Sequence, residues 1–345
     1  MNVNLFGRLS NAFGPPGHES EPRDVLRAEL EDFADEVRVD RMGNIFFHHN
    51  GEKGRPRVLI DAHTDEVGFI VTYIESTGFL RFSNIGGIVP GVMPGQRILL
   101  KGSKGPLRGV IGIKPPHVMT DEERKSVVPV DKLFIDIGSD SLEKTLEKGC
   151  KVGMMGVFDV EFVELGDGYV RGKAFDDRAG CYVMAEAFKA LKDSPYNVVA
   201  VGAVQEEVGL RGTRTATWQV DPDYALALEG TFAVDMPGVG PADMVTQLRK
   251  GPILTIADRG IIVDQGVLQA LMDSAEAESI QYQFKKPLMG GTDASAIHLV
   301  KGGIPTGVVS VPCRYIHGPA SVAHVEDIDN SVLLVEAFVR RISSI

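Results

Sequence analysis

The spacing of apolar positions changes character twice along the chain. Residues 21–33 carry apolar side chains at helical spacing, with Ser20 placed to cap the helix and Pro22 in its first turn. Residues 37–48 read as a hairpin turning at Met42-Gly43-Asn44. Residues 57–62 are a short, mainly apolar run that ends at His63, as expected of a buried parallel strand. From about Gly68 to Phe162 the texture differs. Short strand-like runs at 96–101, 109–113 and 133–137 sit between Gly- and Pro-rich turns, which predicts a small β-barrel or sandwich. One helix, 141–148, is expected within it. The charged run 121–125 reads as a solvated loop.

After Gly172 strands and helices alternate. Helices are predicted at 178–192, 267–278, 294–300 and 328–342, and strands at 197–204, 224–228, 281–284 and 304–311. Such alternation argues for a mostly parallel sheet with helices on both faces. The segment 68–162 is then an insertion between residues 1–67 and 163–345. In open α/β sheets ligands bind beyond the carboxyl ends of the strands. His63, Glu206, Glu207 and Glu229 each stand just past such a predicted end.

Composition narrows the class. At 345 residues, 43% hydrophobic and 24% charged, the chain can bury more than one core. A net charge of -11 argues against nucleic acid or an anionic membrane as partner. No uninterrupted apolar run approaches the roughly 18 residues of a membrane span. Residues 1–15 lack a basic stretch followed by an apolar one, so a cytoplasmic location is expected. Cys150, Cys181 and Cys313 are odd in number and far apart, which suits neither a disulfide framework nor a Cys-x-x-Cys zinc site. A metal bound here would have to use histidine and carboxylate.

Those side chains are present. His63 lies in AHTDEVG, Asp176 in KAFDDR, Glu206 and Glu207 in QEEVG, Glu229 in ALEG and His317 in RYIHG. Singly each is unremarkable, because Asp176-Asp177 could cap the following helix and Glu206-Glu207 could be a solvated pair. Gathered at separate strand–loop junctions, they are costly to bury without a cation. A two-metal hydrolase needs one bridging carboxylate and terminal ligands on each ion. Nitrogen and oxygen donors without thiolate suit zinc, and also cobalt or manganese. Adjacent glutamates in extended backbone point opposite ways, so one can face metal and the other substrate. Asp65 suits a supporting role on the His63 ring.

The motifs AHTDEVGF, GKAFDDRAG, QEEVGLRG and RYIHGPAS, with site intervals of 113, 31, 22 and 88 residues, resemble the glutamyl-aminopeptidase-like or cellulase-M-like metallopeptidases. That family includes the tetrahedral aminopeptidases, and the resemblance spans essentially the whole chain. It implies a doubly wound α/β catalytic domain (1–67 and 163–345) and a small inserted β-domain (68–162) used in dimerisation or assembly. It implies two divalent ions, with His63 and Glu229 on one, Glu207 and His317 on the other, and Asp176 bridging. Glu206 would be the general base, Asp65 would orient His63, and Asp177 would follow an unusual peptide geometry. Short peptides would be the substrates and a homo-oligomer, dimer or dodecamer, the working form. Gly291 and Thr292, in a Gly-Gly-Thr-Asp loop, would lie beside the substrate, and Arg259 could favour an acidic first residue. Position 229 is Glu where many members carry Asp. That departure keeps open a deacylase or carboxypeptidase acting on N-acylated or C-terminal substrates.

Overall fold

The structure, a computed structural model, describes residues 1–244 and 246–342. Its centre is an eight-stranded sheet in the order Glu36–Val39, Ile45–His49, Asn197–Ala203, Arg57–His63, Tyr224–Phe232, Thr306–Cys313, Ile253–Leu254 and Gln283–Phe284. The four middle strands, from Asn197–Ala203 to Thr306–Cys313, run parallel, and the sheet turns antiparallel on either side of them.

Two-residue periodicity divides these strands between two cores. Val58, Ile60, Val198, Ala200, Leu226 and Leu228 face the helices Val3–Asn11, Ser20–Leu30, Phe175–Ala190, Gln265–Ala277 and Val325–Arg340. Their neighbours Leu59, Val199, Val201, Ala225 and Ala227 face Arg211–Val220 and Ala294–Ile297. The sheet is therefore covered on both sides, as the near-continuous apolar strands require.

The strands Gly68–Ile74, Leu80–Ile85, Phe134–Asp136, Gly105–Gly112, Arg97–Gly102 and Met155–Phe158 close, in that order, into a barrel rather than a sandwich. Its own core centres on Phe69, packed edge-on against Phe82 and Phe158. No strand of the large sheet falls between residues 68 and 158. A small third sheet joins Val163–Gly166, Tyr169–Gly172 and Ser321–His324.

Several local expectations change. Ser20 is the first helical residue and Glu19 occupies the cap position, its carboxylate accepting instead from the Gly17 N–H. The run Asp121–Lys125 is a short helix because Thr120 and Glu123 form a reciprocal capping box. The Glu229 strand does not stop at Leu228. Pairing with the next strand continues through Glu229–Ser310 to Phe232–Cys313. Helices Val3–Asn11 and Arg211–Val220 carry no clear signal in the sequence. The second is rich in threonine and is held by packing of Ala216 and Val220.

Candidate functional site

His63 is the last residue of its strand and shares a face with Leu59 and Asp61. In the neighbouring strand Ala227 pairs with Asp61, so two residues further on Glu229 stands beside His63. His63 Nε2 lies 3.7 Å from Glu229 Oε2 and 3.9 Å from Glu206 Oε2. The opening of the Phe175–Ala190 helix is non-helical at Asp176 and Asp177, and the peptide between them is cis. Asp176 faces the cavity, with Oδ1 3.2 Å from His63 Nε2 and Oδ2 3.2 Å from His317 Nε2. His317 sits at positive φ in the turn after the Thr306–Cys313 strand, with Nε2 3.5 Å from Glu207 Oε1.

Asp177 is directed elsewhere. Its carboxylate accepts from the backbone N–H groups of His63 (3.1 Å) and Gly180 (2.9 Å), tying the strand end to the helix start. Donor atoms of His63, Asp177 and Glu229 lie within 4.8 Å of one another, and so do those of Asp176, Glu207 and His317. Either trio could hold a cation.

Asp65 has two jobs. One oxygen accepts from the Glu206 N–H (2.9 Å) and the other from the Glu207 N–H (3.1 Å), which fixes the turn that presents both glutamates. The first oxygen also lies 3.5 Å from His63 Nδ1. That nitrogen has no hydrogen-bond partner otherwise, and neither has Glu207 Oε1. On the other ring, His317 Nδ1 lies 2.9 Å from the Gly87 carbonyl, which comes from the barrel segment. The Cys181 thiol donates to the His63 carbonyl at 3.1 Å.

Below the site, Glu66 is buried and accepts from Lys173 Nζ (2.6 Å) and the Gly14 N–H (3.1 Å). Arg178, fully buried, donates to the carbonyls of Thr64, Leu9 and Ala12. This network anchors both ends of the 64–66 loop.

Electrostatics follow from crowding. Burial raises the Glu206 carboxyl to about 7 and Glu207 to about 8. Glu229 is held well above the usual range by burial and then by Asp177. Burial would raise Asp176 too, but hydrogen bonds from His317 and His63 bring it below the ordinary value. Burial opposes charging of His317, yet the Asp176 carboxylate lifts it to about 10. Acids that resist ionisation, histidines that favour it, and the unpartnered Glu207 Oε1 are the marks of a cluster short of positive charge. Divalent cations fit that donor set.

The expected residues His63, Asp176, Glu206, Glu207, Glu229 and His317 line one cavity of about 440 Å³, with Gly291 and Thr292 on its wall. Thr292 Oγ1 donates to the buried Asp258. Arg259 is exposed and does not line this cavity. Its backbone N–H donates to the Gly290 carbonyl of the loop at 3.0 Å. Sequence reasoning passed over Leu210, Phe232, Lys285 and Ile316, which also line it. No periodicity marks them, because each reaches the cavity from a different loop or strand end.

Known proteins are similar to this chain in sequence and fold. The chain is 40% identical to a TET aminopeptidase from the marine-sediment archaeon Thaumarchaeota archaeon SCGC AB-539-E09, covering 98% of this chain and 96% of that one, with a TM-score of 0.95. It is 34% identical to the Pyrococcus horikoshii TET1 peptidase, with a TM-score of 0.87 and coverage of 97% and 98%. It is 33% identical to the lysyl aminopeptidase of Pyrococcus furiosus over 98% of this chain and 96% of the relative. With the M42 glutamyl aminopeptidase model also matching residues 43–334, the chain belongs to the M42 aminopeptidase family.

Proposed function

We propose that the protein is a dinuclear metal-dependent aminopeptidase that removes the first residue of short peptides. The observation that carries this reading is Asp176, with one carboxylate oxygen 3.2 Å from each of two histidines that otherwise face separate glutamates. Asp176 would bridge the ions, His63 and Glu229 would complete one ion's ligands, and Glu207 and His317 the other's. Asp177 is left out of the ligand set because both its oxygens are held by backbone N–H groups. Two divalent ions, zinc or alternatively cobalt or manganese, would supply Lewis acidity and lower the pKa of water.

The chain's own groups divide the remaining work. Glu206 acts as general base, taking a proton from the attacking water and delivering it to the departing amine. Its Oε2 lies 3.9 Å from His63 Nε2, beside the ion that this ring would help to hold, which suits it to both transfers. Asp65 orients the His63 ring and holds Glu206 and Glu207 in place. Gly291 and Thr292 form the wall against which the substrate lies.

The relatives' names favour this reading over a deacylase or carboxypeptidase, and Glu229 alone does not reverse it. They leave the substrate's first side chain open, since glutamyl and lysyl aminopeptidases carry opposite charge preferences. The Pyrococcus horikoshii relative assembles into a tetrahedron or a large octahedral shell. By that likeness we infer that the present chain works as a homo-oligomer, with the barrel of residues 68–162 as its assembly domain.

The deciding experiment is hydrolysis of amino-acid p-nitroanilides and their N-acetylated counterparts by chelator-stripped protein refilled with zinc, cobalt or manganese. Metal-dependent cleavage of free-amine substrates alone is expected. Glu206→Gln should lower kcat by at least about a hundredfold, the lower end of what a positioned acid–base group contributes, while metal content by emission spectrometry is retained. Cleavage of blocked substrates, or activity surviving metal removal, would overturn the reading.

A further inference from the structure

Two buried acids beside the cluster have no part in this mechanism. Asp61 stands two residues before His63 on the same face of the strand and is fully buried. Asp293 ends the Gly-Gly-Thr-Asp loop and is 1% exposed. It occupies the cap position of the Ala294–Ile297 helix, where its main-chain carbonyl accepts from the Ala296 and Ile297 N–H groups at 2.9 and 3.0 Å. An aspartate so placed ordinarily caps the helix with its side chain. This one does not. Its carboxyl lies beside that of Asp61, and neither accepts a hydrogen bond from another donor among the described residues. One proton held between two such carboxyls turns the contact from repulsion into a bond.

The main chain of Asp293 faces the cluster. Its N–H donates to Glu229 Oε1 at 3.0 Å, in the buried interior. The other oxygen, Oε2, is the one 3.7 Å from His63 Nε2. Glu229 thus has one oxygen engaged and one to give. Three contacts aim that N–H. Ahead of it the Thr292 hydroxyl donates to Asp258 Oδ2 at 3.0 Å, and Asp258 Oδ1 in turn accepts from the Gly260 and Ile261 N–H groups. Beside it the Asp293 carboxyl meets Asp61. After it the short helix enters the core through Ala294 and Ile297. Gly291 and Thr292, on the cavity wall, are the two residues before Asp293. The wall that the substrate meets and the group that grips Glu229 are therefore one short segment.

We propose that Asp293, braced by Asp61, is a positioning residue for the ion that His63 and Glu229 would hold, so that seating of that ion and setting of the substrate wall at Gly291 and Thr292 are coupled. The inference rests on the dinuclear aminopeptidase reading and deepens it. Glu229 moves only by breaking its bond to Asp293, and Asp293 moves only by carrying Gly291 and Thr292 with it. An ion drawing on Oε2 would fix Glu229, and through it the wall. By reciprocity, a wall released from its brace weakens binding of that ion. The other pair depends on different supports. The Glu207 N–H is held by Asp65 and the His317 ring by the Gly87 carbonyl.

The test measures zinc binding and turnover in Asp61→Ala, Asp61→Asn and Thr292→Val. Protein stripped with chelator is titrated with zinc, and emission spectrometry counts the ions kept after dialysis. The wild type should hold two. Asp61→Ala should hold one of them at least about tenfold less tightly, the lower end of what losing a supporting residue does to a metal site, with the other unchanged. At saturating zinc its KM for Leu-p-nitroanilide should rise by a larger factor than kcat falls, because the wall is disturbed and the base is not. Asp61→Asn, which offers Asp293 an N–H in place of the shared proton, should restore the affinity and the KM. Thr292→Val frees the loop from Asp258 without touching the acid pair and should weaken one ion in the same way. It decides the matter if Asp61→Ala does not fold. Equal weakening of both ions would overturn the proposal. So would two ions held as tightly as in the wild type by variants whose melting temperature has fallen, since Asp61 and Thr292 would then support only the fold. A wild type that holds two ions and cleaves no free-amine anilide would remove the aminopeptidase reading, and the zinc affinities would still judge Asp293. One that holds fewer than two would remove the dinuclear reading and this one with it.

Discussion

Single side chains in this molecule are tuned by their burial, and Glu19 shows it outside the catalytic cluster. It is 4% exposed, and burial raises its carboxyl from 4.5 to about 7, with Asp65 adding to the rise. A folded-state value above the unfolded one means the folded chain binds the extra proton between those limits. Stability from this group is therefore intact below about pH 4.5, falls as pH rises toward 7, and is constant beyond. The ceiling on the loss is about 3 kcal/mol. Glu19→Gln keeps an acceptor for the Gly17 N–H without the titration. Its melting temperature relative to wild type should be higher at pH 8 than at pH 4.5, and an identical difference at both values would refute the assignment. Much of the cluster was legible as residue types, since His63, Glu206, Glu207 and Glu229 stand at or just past the ends of apolar strand-like runs. Lys285, which also lines the cavity, was not, because it arrives after a separate edge strand and no spacing marks it. Arg259 was the cation that sequence reasoning selected, and it stands exposed outside the cavity.

Elements set how closely those residues can approach. Gly230 follows Glu229 in the strand, and a Cβ there would meet the Phe175 carbonyl at 2.6 Å and the Asp176 Cα at 2.9 Å. The strand and the helix start touch backbone to backbone, and this contact sets Asp176 against His63. Gly230→Ala should destabilise the protein by about 1–3 kcal/mol through overpacking. It should also weaken binding of the metals, because Asp176 must withdraw. Calorimetry and metal content after dialysis check both, and unchanged metal retention would argue that Asp176 is not shared between two ions. At this scale the sequence revealed the main strands and the long helices through their periodicity. The Arg211–Val220 helix escaped because its propensity is poor and tertiary packing overrides it. The extra length of the Glu229 strand escaped because a partner strand, not local sequence, carries it forward.

The whole molecule joins the two cores that flank the large sheet to a separately packed one inside the barrel. The change of texture near Gly68 made that division visible, although closure into a barrel is a property of pairing that no single strand encodes. Among the described residues no helix is long and apolar enough to cross a membrane. If the barrel mediates assembly, sedimentation should find a species several times the 37.3 kDa chain at micromolar concentration. A monomer under those conditions would remove the assembly role. The barrel also reaches inward, since the Gly87 carbonyl lies 2.9 Å from His317 Nδ1. That acceptor belongs to the main chain, so no exchange of side chain deletes it. Tolerance to mutation should therefore be lopsided around this loop. Point substitutions leave the carbonyl in existence and act only by shifting it, whereas inserting or removing a residue between Ile85 and Pro90 re-aims it and frees the ring to take its other tautomer. The chemistry at one sheet is in this way hostage to the length of a loop in the other.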